Sequence, residues 1–347
     1  MLGLSLLALI GLVAIYSASQ ENASLIARQL ARLGVGLIAL MVIAQIPPRY
    51  LRLWSPWFYG LSLFLLIAVM FFGDVSKGAQ RWLDLGVIRF QPSEPMKLAL
   101  PMALAAYFHR RRLPPNFAQV LLAAIVIALP AALIARQPDL GTAILVAASG
   151  AIVLFLAGLN YRAIAGLCVL AMVTAPALWW ALKDYQQERV LTFLNPERDP
   201  LHAGYHIIQS KIAIGSGGLF GKGWLNGSQA QLEFLPERYT DFVFAVLGEE
   251  FGLLGLLVII TLYFLVLGRT LYIAVNAQDT YARLVAGTIG ITFFLYVFIN
   301  IGMVSGLLPV VGVPLPLISY GGTSIVTLLA GFGILMSIHT HRKLLAR

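Results

Sequence analysis

"LPERYTDFVFAVLGEEFGLLGLLVIITLYFLVLG", residues 235–268, sets the architecture. A charged turn holding Glu237, Arg238 and Asp241 runs straight into an apolar stretch, 242–268, whose only charged residues are Glu249 and Glu250. The stretch exceeds the ~20 residues that carry a helix across the hydrocarbon of a bilayer. In that medium backbone N–H and C=O groups must find partners within their own segment, so the stretch is read as a membrane-spanning helix. One acid at its lip and two inside it then need a reason, because an unpaired charge in hydrocarbon costs several kcal/mol.

Comparable runs stand at residues 2–17, 28–46, 56–73, 94–109, 117–135, 140–159, 163–182, 284–304 and 323–338. Together they predict about ten spans. Composition agrees, since 59% of the 347 residues are hydrophobic and 11% charged, against ~25% charged in soluble domains; mean hydropathy is +0.85. The expected fold is an all-α polytopic membrane protein, one integral membrane domain over 1–347. The first run is short and ends in Ser17, Ala18 and Ser19, as a signal peptide would, but it lacks a basic n-region and is read as a span. The run at 94–109 is interrupted by Glu94, Lys97 and Pro101.

Lys and Arg in short loops mark the cytoplasmic side. Starting inside, the inner loops hold Arg49 and Arg52, then Arg110, Arg111 and Arg112, then Arg162, then Arg269 and Arg283, and finally a tail with Arg342, Lys343 and Arg347. Both termini are therefore expected in the cytoplasm. The outer loop 74–93 breaks the rule with Lys77, Arg81 and Arg89, as residues meeting an anionic ligand would. The net charge of +9 follows from inner loops facing anionic lipid and calls for no nucleic acid. Cys168 is the single cysteine, which excludes an intrachain disulfide, and no Cys/His grouping has zinc spacing. His202 and His206 are an i, i+4 pair without the glutamate of a zinc-protease motif.

The remaining polar chemistry is expected at the outer face. Residues 183–240 form the one long connection, read as a large extracytoplasmic loop on the membrane surface. Within it "IAIGSGGLFGKG" (212–223) is either a set of turns or a phosphate cradle, without P-loop spacing. The Pro/Gly-rich "GLLPVVGVPLPLISYGG" (306–322) is too apolar for a solvated loop and too broken for a span, so it is read as a re-entrant or interfacial segment lining a cavity. Glu94 with Lys97, Asp139 and Asp241 each open a span at the outer face. Structurally, Glu94 and Lys97 make a local i, i+3 pair and the two aspartates favour helix N-termini; functionally, three convergent acids make a site. Glu249 and Glu250, some 12 Å further along the helix from Asp241, are read as structural acids facing the bundle.

"GAQRWLDLGVIRFQPSEPMKLA", "QPDLGTA", "LTFLNPERDPLHAGYHIIQSKIAIGSGGLFGKG", "LPERYTDFVFAVLGEEFGLLG" and "GLLPVVGVPLPLISYGGTS" occur in order over nearly the whole chain. In these motifs the sequence closely resembles the SEDS family of bacterial shape, elongation, division and sporulation proteins, and its wording is nearest to the elongation members. Tyr239, Trp224 and His202 depart from the usual wording without removing a charged motif residue. The resemblance implies ten spans and a peptidoglycan glycosyltransferase that polymerises lipid II, working with a class B penicillin-binding protein and other elongation-complex membrane proteins. It further implies that the aspartate of "TDF", Asp241, is the essential acid.

The chemistry so implied needs a base for a sugar hydroxyl, cations for a departing pyrophosphate and a greasy path for polyprenyl chains. Asp241 is assigned as the base, with Asp139 and Glu94 as further catalytic acids; Asp241 and Asp139 are the candidates to hold a divalent cation such as Mg²⁺ or Mn²⁺. Arg81, Lys97, Lys211 and Arg238 are the candidate pyrophosphate ligands, and Gln137 of "QPDLGTA" with Ser319 and Tyr320 of "LISYGG" complete the substrate-binding set. Two other readings remain: a lipid II flippase, which would place polar groups at the midplane of repeated halves, and a non-catalytic scaffold for a transpeptidase.

Overall fold

A computed structural model of the chain describes residues 1–160 apart from 77, 78, 85, 87 and 88, residues 203–342 apart from 233 and 236, and positions 165, 166, 169, 172, 173, 180, 187 and 191 between them. Most of the expected span at 163–182, most of the loop before residue 203, and Lys77, Arg162, Cys168, His202, Lys343 and Arg347 lie outside the described residues.

The elements run α1 (Leu2–Ala18), α2 (Ala23–Gln45), α3 (Pro48–Phe72), β1 (Asp74–Ser76), β2 (Ala79–Asp84), β3 (Arg89–Phe90), α4 (Ser93–His109), α5 (Phe117–Arg136), α6 (Leu140–Leu156), α7 (Ala203–Ser216), α8 (Ser228–Gln231), α9 (Val243–Val275), α10 (Thr280–Val304) and α11 (Thr323–Thr340). Each apolar run outside 163–182 has become a helix. Six of these, α2, α3, α5, α9, α10 and α11, are long and apolar enough to cross a membrane, while α1 and α6 are shorter apolar helices. To the helices the structure adds a small antiparallel sheet, β1-β2-β3, in which Asp74 faces Trp82 and Leu83 faces Phe90. Local chemistry sets the helix starts: Asn116 and Gln119 form a reciprocal capping box at α5, each bond 3.0 Å, and Asp139 caps α6 by accepting from Thr142 N–H at 3.2 Å.

Chain contacts divide the protein into two compact units. One comprises Met1–Gln29, Asn160–Val266 and Leu295–Gly321; the other comprises Leu30–Leu159, Leu267–Phe294 and Gly322–Arg347. In the second unit α3, α4, α5 and α6 pack around fully buried Met96, Leu100, Phe108 and Val146. Gly333 brings α11 against the α2 backbone, where an added Cβ would meet Leu40 O at 2.8 Å.

The first unit is organised by a break in α9. Gly252 has φ 65° and ψ −164°, a conformation essentially confined to glycine. The backbone groups freed there are taken up by the Gly-rich connection after α7: Leu253 N–H donates to Gly218 O at 2.9 Å and Leu254 N–H to Leu219 O at 3.2 Å, while Lys222 and Gly223 N–H donate to Glu249 O and Glu250 O, each at 3.0 Å. The approach excludes side chains, since a Cβ on Gly217 would lie 2.0 Å from Gly248 O and one on Gly221 2.1 Å from Glu250 O. "IAIGSGGLFGKG" is thus a patch over a broken helix, and the amides of Lys222 and Gly223 are engaged by α9 carbonyls.

Glu249 and Glu250 belong to the same device. The wholly buried Glu249 carboxylate accepts from Lys222 Nζ at 2.6 Å, Ser228 Oγ at 3.0 Å and Gln229 N–H at 3.1 Å. Glu250 accepts from Ser17 of α1, and Trp224 Nε1 donates to Val13 O at 3.3 Å. Gly252→Ala is expected to cost about 1–3 kcal/mol, because it imposes a disfavoured backbone conformation. The protein in detergent should melt several degrees lower, whereas Gly60→Ala, where an added Cβ meets nothing within 4 Å, should leave the melt unchanged.

Candidate active site

Asp241 lies in the turn that leads into α9, two residues ahead of the first helical position, Val243. The turn is closed by Thr240 N–H and Phe242 N–H, which donate to Glu237 O at 3.1 and 3.3 Å. The side chain reaches toward Gly312: a Cβ built on that glycine, whose φ is 77°, would lie 3.5 Å from Asp241 Oδ2. Its positive φ would strain any other residue at 312, while a Cβ there would stand in ordinary contact with the carboxylate.

Asn300, wholly buried on α10, joins the two segments. Its Nδ2 donates to Asp241 O at 2.9 Å and to Val313 O at 2.7 Å. One amide thus fixes the height of the aspartate relative to the proline-rich segment. That segment has no helix between 306 and 320 and is nonetheless largely buried, with Leu315, Leu317 and Ile318 at 1%, 1% and 0% exposure. Its carbonyls are met by protein: Tyr263 Oη donates to Pro316 O at 2.6 Å, and Gln29 Nε2 to Ser319 O at 3.3 Å. Ser319 is used locally, its Oγ accepting from Leu315 N–H at 2.8 Å. Tyr320 N–H donates to Tyr239 O at 2.8 Å, and the two rings meet edge to face at 5.9 Å, so "ERYTD" and "LISYGG" form one wall.

Two candidate cations share this unit. Arg238 donates from Nε to Ala18 O at 2.5 Å. Lys211 is exposed on α7, and its stem crosses Gly306, where an added Cβ would meet Cε at 2.3 Å and Nζ at 2.8 Å. Beside it Ser210 Oγ anchors α7 to Val304 O at 2.7 Å. His206 stacks on Phe242 with ring centroids 5.8 Å apart, and burial lowers its imidazole pKa below the ordinary value while Glu237 opposes the shift.

The other candidates occupy the second unit, around the starts of α4 and α6. Glu94, buried in the first turn of α4, accepts from Lys97 Nζ at 2.7 Å. Asp139 caps α6 and is met by Gln91 Nε2 at 3.5 Å and by Arg81 Nη1 at 3.5 Å. Arg81, carried by β2, also donates to Pro138 O at 3.0 Å. Gln137 is buried with its Nε2 on Leu66 O at 3.0 Å, tying α5 to α3. Arg81 with Asp139 and Glu94 with Lys97 are thus brought together as pairs. Asp241, Lys211, Arg238, Ser319 and Tyr320 are grouped in the first unit. Among the described residues no three of His, Cys, Asp and Glu are placed to share a metal ion.

Asn300, Gly312 and Gln91 were not among the sequence candidates. An asparagine inside the apolar run 284–304 was the available signal, since polar side chains at membrane depth face protein or a cavity. Asn300→Leu strips the donor from two carbonyls, a loss worth about 1–3 kcal/mol for each buried group left unpaired. Amide hydrogen exchange over 311–315 should quicken at least about tenfold while that over α5 stays as in the parent protein.

The sequence model of the FtsW/RodA/SpoVE family, described as a cell cycle protein family, matches residues 1–344. The "Peptidoglycan glycosyltransferase MrdB" of Escherichia coli K12 is 56% identical over 334 residues, covering 96% of this chain and 90% of its own. A solved chain from work described as "Structural coordination of polymerization and crosslinking by a peptidoglycan synthase complex" superposes with a TM-score of 0.88 at 34% identity, covering 99% of this chain and 97% of its own. The rod shape determining protein RodA of Thermus thermophilus superposes with a TM-score of 0.75 at 30% identity, covering 98% of this chain and 95% of its own. With the family model matching residues 1–344 and a relative 56% identical over 96% of the chain, this integral membrane protein belongs to the FtsW/RodA/SpoVE family, the SEDS proteins.

Proposed function

We propose that the chain is a peptidoglycan glycosyltransferase that polymerises lipid II into glycan strands on the outer face of the bacterial cytoplasmic membrane, for cell elongation and rod shape. Both termini then lie in the cytoplasm, and a class B penicillin-binding protein crosslinks the product. The observation that carries the reading is the Asp241 carboxylate facing Gly312, its backbone held by Asn300, in a chain whose relative at 56% identity bears that enzymatic name.

Asp241 takes the proton from the 4-hydroxyl of the acceptor sugar as that oxygen attacks the anomeric carbon of the donor. The anomeric bond to pyrophosphate breaks, the configuration inverts and polyprenyl pyrophosphate leaves. Base assistance of this kind is worth roughly 10²–10⁴-fold. A fixed cation stabilises the charge that develops on the leaving group, so no general acid is needed. Lys211 is the best placed of the candidates, being exposed in the same unit as Asp241, whereas Arg81 and Lys97 are paired with Asp139 and Glu94. Asp241 is also the carboxylate that would hold a divalent cation against the pyrophosphate, because Mg²⁺ takes one or two carboxylates and completes its shell with phosphate oxygens and water. Asp139 suits that task less well, since its two oxygens already receive Thr142, Gln91 and Arg81.

The test is polymerisation of purified lipid II by the detergent-solubilised chain, with and without Mg²⁺ and the transpeptidase. Asp241→Ala should reduce glycan formation at least about 100-fold while the protein still elutes as a folded species; Lys211→Met should reduce it less. Unchanged glycan from the Asp241 variant removes the base assignment. No glycan from the parent protein with partner and Mg²⁺ present removes the enzyme reading in favour of a flippase or scaffold.

A further inference from the structure

In the second unit, where α3 and α5 begin and α4 ends, an apolar cleft of about 510 Å³ opens between the three helices. That volume lies within the ~300–1,000 Å³ of ligand pockets. Leu53, Leu104 and Leu122 are among its walls. Tyr59 also lines it, and its hydroxyl donates to Val126 O at 2.8 Å. Seven helical residues separate Tyr59 from Arg52, a depth of about 10 Å.

The mouth is cationic. Arg52 comes from the first turns of α3, Arg110 caps α4, and Arg111 follows it. Arg111 lies 4.8 Å over the ring of Tyr107, and Arg52 meets His109. Among the described residues none of the three is ion-paired with a carboxylate. Asp279, the acid nearby in sequence to α10, accepts from Ala282 N–H at 2.7 Å as a helix cap. A basic loop or a helix C-terminus alone would account for arginines here; it would not account for an open greasy slot beneath them.

We propose that this cleft binds an anionic phospholipid, one acyl chain lying between α3, α4 and α5 and the phosphate on Arg52, Arg110 and Arg111. Guanidinium groups suit a phosphate ester through paired N–H donors, and the aliphatic walls suit the chain. With the orientation proposed above, the lipid belongs to the cytoplasmic leaflet, where anionic lipids attract basic residues. The leaflet rests on that reading; the binding chemistry does not.

Native mass spectrometry of the detergent-solubilised full chain, offered phosphatidylglycerol and phosphatidylcholine in equal amounts, tests the site without recourse to enzymatic activity. The parent protein should retain phosphatidylglycerol at least about tenfold in preference. Replacing Arg52, Arg110 or Arg111 by Gln should cut that preference about fivefold each. Leu122→Trp should expel the lipid by filling the slot with every charge in place, and Arg112→Gln, an arginine outside the cleft, should behave as the parent. Thermal melts establish that each variant is folded. Equal retention of the two lipids overturns the proposal. So does an Arg112→Gln effect matching the lining variants, or a preference that survives Leu122→Trp, because either describes diffuse surface charge. Displacement by excess inorganic phosphate would likewise overturn it by showing a free-anion site.

Discussion

A bilayer offers no water to a backbone that leaves its helix, and the first unit is built around that constraint. Gly252 breaks α9 inside an apolar stretch, and the break is tolerable only because residues 218–223 bring their own carbonyls and amides to the gap. Close approach demands glycine at 217 and 221, and it places Lys222 beside Glu249. A buried carboxylate with one partner would be a liability; with a lysine, a hydroxyl and a backbone amide converging on it, its lone pairs are satisfied. Glu249 and Glu250 sit deep in the stretch because they fasten the patch and α1 to the broken helix.

The same constraint shapes the neighbourhood of Asp241. Residues 306–320 leave their carbonyls without helical partners in a largely buried setting, and Asn300, Tyr263 and Gln29 supply the donors. Asn300 does so while holding Asp241 O, so the solution to a backbone problem also sets the position of an acid. Gly312 supplies the left-handed turn beside the carboxylate. Placing a carboxylate to within a fraction of an ångström is what general-base chemistry asks of a scaffold, and an irregular segment pinned at several carbonyls gives it more firmly than a solvated loop.

The helices were legible because a span announces itself by length and apolarity alone: each described run became a helix, including α4 with Glu94, Lys97 and Pro101 inside it. The Glu94–Lys97 contact and the capping position of Asp139 were legible as well, through i, i+3 spacing and helix-start position. What could not be read was pairing across long separations. Nothing in "IAIGSGGLFGKG" names Gly248 and Glu250 as the surfaces it packs against, so turns and a phosphate cradle stayed open until contacts between residues some 30 apart were in view. The sheet at 74–90 was missed because strands of two to six residues are too short for their alternation to register. Asn300 escaped because one amide in an apolar run carries no spacing pattern.

The three acids at the span entrances fall in different units of the protein. Glu94 has Lys97 at 2.7 Å. Asp139 has a helix N-terminus and Arg81. Those contacts fix the ends of α4 and α6 and the strand that carries Arg81. Asp241 belongs to the first unit, where Asn300 secures its backbone and its side chain reaches toward Gly312. The proposed base is thus the acid whose backbone one amide ties to the proline-rich segment, so that its position and that segment's are set together.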